Sequence, residues 1–146
     1  MTGGGFQKVS RTDSPLYGPR KLLLCGFAAE AQAKFKRLLR MIGISELPLV
    51  WLCEEQADLS LGELVKLDDG TGSGRSSRLP RAVIISGILQ VELHLLVSGF
   101  RQSGLKQVLW ATLTPTSETW TLQNLLAELA AEHKAMQARR QGDESA

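Results

Sequence analysis

Glycines and hydroxyl side chains follow several apolar runs of the sequence, at positions where they could bind an anion. Gly26 and Gly87 each stand between an apolar run and an amphipathic segment. A glycine at such a junction lets the backbone approach an anion at a helix N-terminus, and nearby hydroxyls can donate to it. Both glycines are single, without the repeated glycines of a dinucleotide site, so tight turns are the favoured interpretation. The candidate ligand-binding residues are Gly26, Ser86, Gly87, Thr114, Thr116 and Ser117.

The segment over residues 114–122, TPTSETWTL, is the most distinctive stretch of the chain. Thr119 or Thr121 could cap a following helix by accepting a backbone hydrogen bond, and Trp120 could pack the helix entry against the core. This structural interpretation explains the residue types well. The functional alternative is a polar site for an anion or a partner, although Glu118 would oppose an anion there.

The residue types that most often perform catalysis do not form a recognisable set. Cys25 and Cys53 would end two strands in one half of the chain, and buried, inert thiols are favoured over a bridge between them. His94 and His133 fall on predicted helices, and no nucleophile is paired with either. These residues lack the spacing of metal ligands, so we predict no metal site and no cofactor. An enzyme is the least favoured class.

The bulk composition excludes several classes of protein. The chain has 146 residues, of which 43% are hydrophobic and 22% are charged, as in an ordinary folded domain. No apolar run is long enough for a transmembrane helix, so we expect no membrane partner. The net charge of +2 does not favour nucleic acid, although residues 34–40 contain a basic helix face. The low cysteine content suits a reducing compartment, and we expect a cytoplasmic location.

Apolar runs and helical periodicity alternate along the chain and predict the elements that position these residues. Residues 68–80 form a Gly- and Ser-rich loop, which we interpret as a flexible linker. Continuous apolar strands predict a sheet that is covered on both faces. The four predicted strands cover residues 21–27, 47–53, 81–87 and 107–114. The predicted helices cover residues 28–42, 59–67, 89–100 and a long segment from 122 with an inward face of Leu122, Leu125, Leu126, Leu129, His133 and Met136.

The two halves of this pattern match each other at one constant displacement, the one that places Gly26 on Gly87 and Gly43 on Gly104. Trp51 and Trp110 match after a small further adjustment. We therefore predict internal duplication of a β-α-β-α unit within a single α/β domain. The predicted divisions are a flexible extension, repeat one, a loop, repeat two and a disordered tail, over residues 1–20, 21–67, 68–80, 81–137 and 138–146.

Each repeat offers only two strands, so both repeats must contribute to one sheet. The favoured fold is α/β, with two βαβα repeats forming one four-stranded sheet that has helices on both faces. The alternative is a ferredoxin-like arrangement in which a pseudo-two-fold axis relates the halves and the central strands are antiparallel. With parallel strands, the candidate ligand-binding residues would meet at the carboxyl ends of the strands.

The second half of the sequence contains several short motifs, namely RAVIISG at 81–87, WATLTPT at 110–116, WTL at 120–122 and EH at 132–133. On these motifs it resembles a family of short domains of unknown function from bacteria, with relatives in plants. Asn often follows the second Thr of the TPT motif in that family, whereas Ser117 stands here. The resemblance implies no activity. It directs attention to the motif residues Pro115, Trp120, Glu132 and His133.

A compact α/β chain without an assembled catalytic set favours a non-enzymatic protein-interaction or regulatory module. Its partner would be a protein not identified by the sequence, and a homodimer is one arrangement consistent with this function. The alternative is a domain that binds a small anionic ligand or a nucleotide at the carboxyl ends of the strands.

Overall fold

The computed structural model describes residues 14–44 and 46–145, with side chains as far as residue 140. The first part of the predicted extension, residues 1–13, lies outside the described residues. The remainder of the extension is hydrogen-bonded to the second half of the chain, since the Leu16 amide donates to the Ile88 carbonyl at 2.8 Å.

The described residues form a sheet of four strands, and each strand lies within one of the predicted apolar runs. They are β1 (Lys21–Cys25), β2 (Leu49–Leu52), β3 (Ala82–Ser86) and β4 (Leu109–Thr112). Their order is β2-β1-β3-β4, with both outer pairs parallel and the central β1–β3 pair antiparallel. The predicted four-stranded α/β sheet is confirmed, and its central strands run in the directions of the alternative arrangement.

The described residues form four α-helices, two on each face of the sheet. The helices are α1 (Ala29–Met41), α2 (Leu61–Leu64), α3 (Gln90–Gln102) and α4 (Leu122–Ser145). One face packs against α1 and α3 through an apolar cluster that includes Phe27, Phe35, Trp51, Ile85 and Phe100. The other face packs against α2 and α4 through a cluster that includes Leu23, Val50, Leu61, Ile84 and Leu122. Burial on both faces is the reason that the strands are continuous apolar runs.

The starts of α2 and α4 lie side by side, joined by an antiparallel bridge between Ser60 and Thr121. The Ser60 hydroxyl accepts a hydrogen bond from the Glu63 amide, and the Thr121 hydroxyl accepts one from the Asn124 amide, both at 3.2 Å. Each hydroxyl satisfies an amide that a helix leaves unpaired at its start. The prediction that Thr121 can cap the last helix is confirmed.

Two segments differ from the sequence prediction. Helix α4 continues through residues 138–145, where the sequence predicts a disordered tail. Ala, Gln and Arg residues favour helix in this stretch without needing burial. The buried face of α4 ends near Leu129, so His133 and Met136 are exposed and not inward. The loop over residues 68–80 is not a detached linker, because it is hydrogen-bonded along β2.

The strand registers of the two halves are the same at the displacement that places Gly26 on Gly87. Leu22 lies opposite Leu49 in the first half, and Val83 lies opposite Trp110 in the second. The predicted adjustment that matches Trp51 with Trp110 is therefore wrong, because Trp110 corresponds to Leu49 in the sheet.

Two residue pairs lie on the pseudo-two-fold axis that relates the halves. Leu23 is opposite Ile84 in the central strand pair, and Ser60 is bridged to Thr121 on the face covered by α2 and α4. Within each pair, the two residues occupy corresponding positions of the two halves. A rotation about the axis therefore exchanges the two residues of each pair. Internal duplication stays a prediction about the origin of this geometry.

Candidate functional site

The predicted ligand-binding residues do not lie together at one end of the sheet. Strands β1 and β3 are antiparallel, with Lys21 opposite Ser86 and Cys25 opposite Ala82. Gly26 follows β1 and is therefore at the opposite end of the sheet from the other candidates. Those candidates are Ser86, Gly87, Thr114, Thr116 and Ser117. A single ligand edge requires parallel central strands, which this sheet does not have.

The two strand-end glycines are packed against the chain's own backbone. Gly87 has a φ of +65°, and a Cβ there would overlap the carbonyl oxygen of Gly18. Gly26 has a φ of +77°, and a Cβ there would overlap the carbonyl oxygen of Leu79. Ser86 is fully buried, and its hydroxyl donates to a backbone carbonyl at 2.6 Å. These contacts agree with the interpretation of both glycines as tight turns.

The hydroxyl groups after β4 are hydrogen-bonded within their own segment. Thr114 and Ser117 exchange hydrogen bonds, since the amide of each donates to the hydroxyl of the other at 3.0 Å. The Thr119 hydroxyl donates to the Thr116 carbonyl at 3.0 Å. Trp120 is partly buried against the cluster under α4. The contacts support the structural interpretation of this segment, in which polar groups build a turn before α4.

The other residues of the family motif lie on the surface. Pro115 and Glu132 are exposed, and His133 is exposed on α4, where it lines two cavities beside β4. Within residues 14–44 and 46–145, no three His, Cys, Asp or Glu side chains are placed to hold a metal ion. None of the helices in the described part of the chain combines the length and the apolar character needed to cross a membrane.

Cys25 and Cys53 are buried free thiols. Burial raises the pKa of Cys25 to about 12, and the neighbouring Cys53 adds to this shift. Burial also raises the pKa of Cys53. Because the thiolate is the reactive form of cysteine, these shifts favour inert thiols over a redox pair.

The outer edge of β2 is covered by the loop that follows α2. The Leu49 amide donates to the Asp69 carboxylate at 2.8 Å, and the Leu49 carbonyl accepts from the Gly70 amide at 2.8 Å. The Trp51 amide donates to the Thr71 carbonyl at 2.8 Å. All four residues of β2 are buried. The loop thus takes the place of a further strand beside β2.

The outer edge of β4 has no such cover from the residues that the structure describes. The amides of Leu109 and Leu113 donate to carbonyls of the β3 segment, at 2.9 and 2.8 Å. Because successive residues of a strand point their backbone groups to opposite sides, the amides and carbonyls of Trp110 and Thr112 face away from the sheet. Thr112 is exposed, and the rest of β4 is partly exposed. Within the part of the chain that the structure describes, the sheet therefore has one covered edge and one open edge.

A groove runs beside the open edge, between the end of α3 and the outer part of α4. It contains two adjoining cavities of about 390 Å³ each, which share Gln107, Val108 and His133. Arg101 and Arg140 lie on its walls, and no carboxylate is among the described residues that line it. We call this surface the basic groove. Its charge favours a negatively charged occupant.

Arg20 and Arg81 occupy corresponding positions of the two halves. Arg20 forms an ion pair with a carboxylate, whereas Arg81 forms none among the described residues. Arg20 donates two hydrogen bonds to the Glu92 carboxylate, at 2.6 and 2.7 Å. These bonds raise the pKa of Arg20 and lower the pKa of Glu92. Arg81 lies over the Phe27 ring, with its Cζ 4.7 Å from the ring centroid, and burial lowers its pKa. The buried Nε of Arg81 has no hydrogen-bond partner among the described residues.

The described residues define an α/β domain with a mixed four-stranded sheet. One edge of this sheet, β2, is covered by a loop, and the other edge, β4, is open. Residues 81–136 match a protein family described as "Domain of unknown function (DUF3783)". The match confirms the resemblance of the second half to a domain of unknown function. It covers less than half of the 146 residues, and it contains the open edge and most of the basic groove. No curated protein and no solved structure matches the chain.

Local sequence patterns do not predict the open edge, the basic groove or the contrast between the two arginines. The place of a strand in a sheet depends on contacts between distant residues, which periodicity does not contain. One signal was present in the comparison of the halves. At the displacement that places Arg20 on Arg81, Asp69 corresponds to Ala130, and Glu92 corresponds to Ala31. The carboxylate that covers an edge and the carboxylate that pairs with an arginine therefore each occur in one half alone.

Proposed function

We propose that the chain is a non-enzymatic protein-interaction module that binds an extended segment of a partner along the outer edge of β4. The contrast between the two sheet edges carries this proposal. A strand edge with unpaired amides and carbonyls can accept another strand, and the main-chain hydrogen bonds then supply affinity. The loop on β2 is an example of such a segment within the same chain.

The correspondence between the edges supports this function residue by residue. In the shared register of the two halves, Leu49 and Trp51 correspond to Trp110 and Thr112. The amides of Leu49 and Trp51 are hydrogen-bonded to the loop, whereas the same groups of Trp110 and Thr112 face outward. A partner strand would therefore pair with β4 as the loop pairs with β2.

The basic groove supports an acidic partner. Arg101 and Arg140 line it, and the exposed Lys106 is adjacent in sequence to the lining residue Gln107. An acidic segment would be attracted by these charges, whereas a second copy of the chain would bring two basic grooves together. The apolar Val108 in the groove suits an extended segment whose apolar side chains alternate with acidic ones. We therefore take the partner to be an extended, acidic polypeptide segment.

Selection of short random peptides displayed against the full chain tests this function. The selected peptides are expected to be rich in Asp and Glu that alternate with apolar residues. Thr112→Pro removes an outward amide without removing a hydrogen bond to β3, and proline is tolerated at such a position of an edge strand. It should weaken peptide binding by at least about tenfold, because the partner strand loses a main-chain hydrogen bond and meets the proline ring.

Thr112→Val is the matched control, since it changes the same exposed side chain and keeps the amide. It should bind the peptides like the unmodified chain, and both variants should keep the circular dichroism spectrum of the fold. Equal affinity for Thr112→Pro would overturn strand addition at β4. Selected peptides rich in Lys and Arg, or a dimer of the chain that Thr112→Pro dissociates, would overturn the acidic partner.

A further inference from the structure

Glu92, in the second half of the chain, lies in a complete carboxylate site. Its carboxylate accepts hydrogen bonds from both terminal nitrogens of Arg20, and its Oε1 also accepts from the Leu89 amide at 2.9 Å. Leu89 immediately precedes α3. A carboxylate is therefore held between an arginine and the amide before a helix, in the geometry that suits both donors.

The same donors occur at the corresponding positions around α1, without the carboxylate. Arg81 corresponds to Arg20, Ala28 corresponds to Leu89, and Ala31 corresponds to Glu92. The Ala28 amide has no hydrogen-bond partner among the described residues, whereas the next amide, that of Ala29, donates to the Ser76 hydroxyl at 3.3 Å. Arg81 forms no ion pair within the described chain, and its buried Nε is unpaired. The first half therefore has both donors, Arg81 and the Ala28 amide, but the methyl group of Ala31 stands where the second half has the carboxylate of Glu92.

A second acidic residue near Arg20 is also absent around Arg81. After Glu92, Glu46 contributes to the raised pKa of Arg20, and its counterpart at the same displacement is the neutral Gln107. A partly buried guanidinium without a counter-ion is costly, because burial removes water from the charge. The Phe27 ring offsets part of this cost, since a cation is attracted to an aromatic face.

We propose that Arg81 and the Ala28 amide bind a carboxylate group from outside the chain, in the place that Glu92 occupies beside Arg20. A planar guanidinium pairs with a carboxylate through two parallel hydrogen bonds, which fixes the orientation of the group. The group belongs either to an acidic side chain of a protein or to a small carboxylic acid, and its chemistry at the site is the same. Arg81 also lines the basic groove. The site nevertheless uses Arg81 and the Ala28 amide, and not the outward backbone groups of β4 that strand addition would use.

NMR titration of the full chain, labelled with ¹⁵N, tests the site with sodium acetate as the probe and sodium chloride as the control for ionic strength. The signals of the Ala28 amide and the Arg81 Nε–H should shift along one saturating curve. The Leu89 amide should not shift, because Glu92 already occupies its site. Absence of a saturable shift at Ala28 and Arg81, or an equal shift at Leu89, would overturn the proposal.

Two variants separate loss of the site from loss of the fold. Arg81→Met should weaken acetate binding by at least about tenfold, whereas the nearby Arg78→Met should leave it unchanged. Ala31→Glu should abolish acetate binding in a folded chain, because the new carboxylate would fill the site as Glu92 does beside Arg20. An Ala31→Glu variant that binds acetate like the unmodified chain would overturn the assignment, whether or not Arg81→Met folds.

Further probes distinguish the sources of the carboxylate. N-acetylglutamic acid methylamide imitates an acidic side chain of a protein, and succinate represents a small carboxylic acid. Tighter binding of the first supports a protein side chain as the occupant, and tighter binding of succinate supports a small acid. Inorganic phosphate that binds more tightly than both would overturn the choice of a carboxylate.

Discussion

The two edge strands, β2 and β4, have the same register with their inner neighbours but different surroundings. The difference begins at the helix that follows each strand. Helix α2 ends at Leu64, and the chain then turns back along β2, whereas α4 continues to Ser145. The loop after α2 also needs Gly72, which has a φ of +78° and lies against the Trp51 carbonyl. The early end of α2 leaves a segment of chain that covers the edge of β2, whereas the long α4 leaves no such segment among the described residues beside β4.

The largest effect on this comparison is expected from Gly72→Ala. A Cβ at Gly72 would overlap the Trp51 carbonyl oxygen, so the loop would have to move away from β2. We expect the free energy of unfolding to fall by about 3 kcal/mol, measured by urea denaturation, because strain adds to the lost edge hydrogen bonds.

Gly74→Ala is the matched control for this loop. Gly74 has a φ of +84°, but nothing lies within 4 Å of a Cβ placed there. It should cost only about 1 kcal/mol, from the left-handed backbone conformation alone. Equal losses for the two variants would show that the contact with β2 does not stabilise the fold, and the covered edge would lose its significance.

A smaller effect on the free energy of unfolding, which depends on pH, is expected from Glu92→Gln, because Glu92 is paired with Arg20. The hydrogen bonds from Arg20 hold the pKa of Glu92 below its unfolded value of about 4.3. The charged carboxylate therefore stabilises the fold above about pH 4.3, and this stabilisation is lost as the pH falls through the lower folded pKa. Glu92→Gln should lower the free energy of unfolding by about 1 kcal/mol at neutral pH, since solvent screens the partly exposed Arg20.

The difference between Glu92→Gln and the unmodified chain should shrink as the solution is acidified below about pH 4.3. Arg81→Met is the control in the other half, because Arg81 has no carboxylate partner among the described residues. Its effect on stability should not change over the same pH range. A pH-independent loss for Glu92→Gln would mean that the ion pair with Arg20 does not stabilise the fold.

Local sequence patterns predict the elements of this fold because each pattern reports burial or a helix end. The strand over Ala82–Ser86 is a continuous apolar run, since helices cover both of its faces. The cap at Thr121 follows from a hydroxyl before an amphipathic segment. The antiparallel direction of β3 relative to β1 does not follow from such patterns, because periodicity is the same for a strand of either direction.

The candidate site was less predictable than the fold. Ser86 and Gly87 have the chemistry of an anion site, but a segment distant in sequence packs against both and leaves the Ser86 hydroxyl buried. The open edge at Trp110 and Thr112 is a property of backbone groups, which are the same for every residue type except proline. Only the comparison of the two halves indicates it, through the difference between Asp69 and its counterpart Ala130.

Native-state hydrogen exchange at four backbone amides tests the open edge most directly. Leu49 and Trp51 should be strongly protected, because their outward amides are hydrogen-bonded to the loop. Trp110 and Thr112 occupy the corresponding positions, and their amides should exchange at rates close to those of an unprotected chain. Protection of Trp110 and Thr112 as strong as that of Leu49 and Trp51 would contradict an open edge at β4.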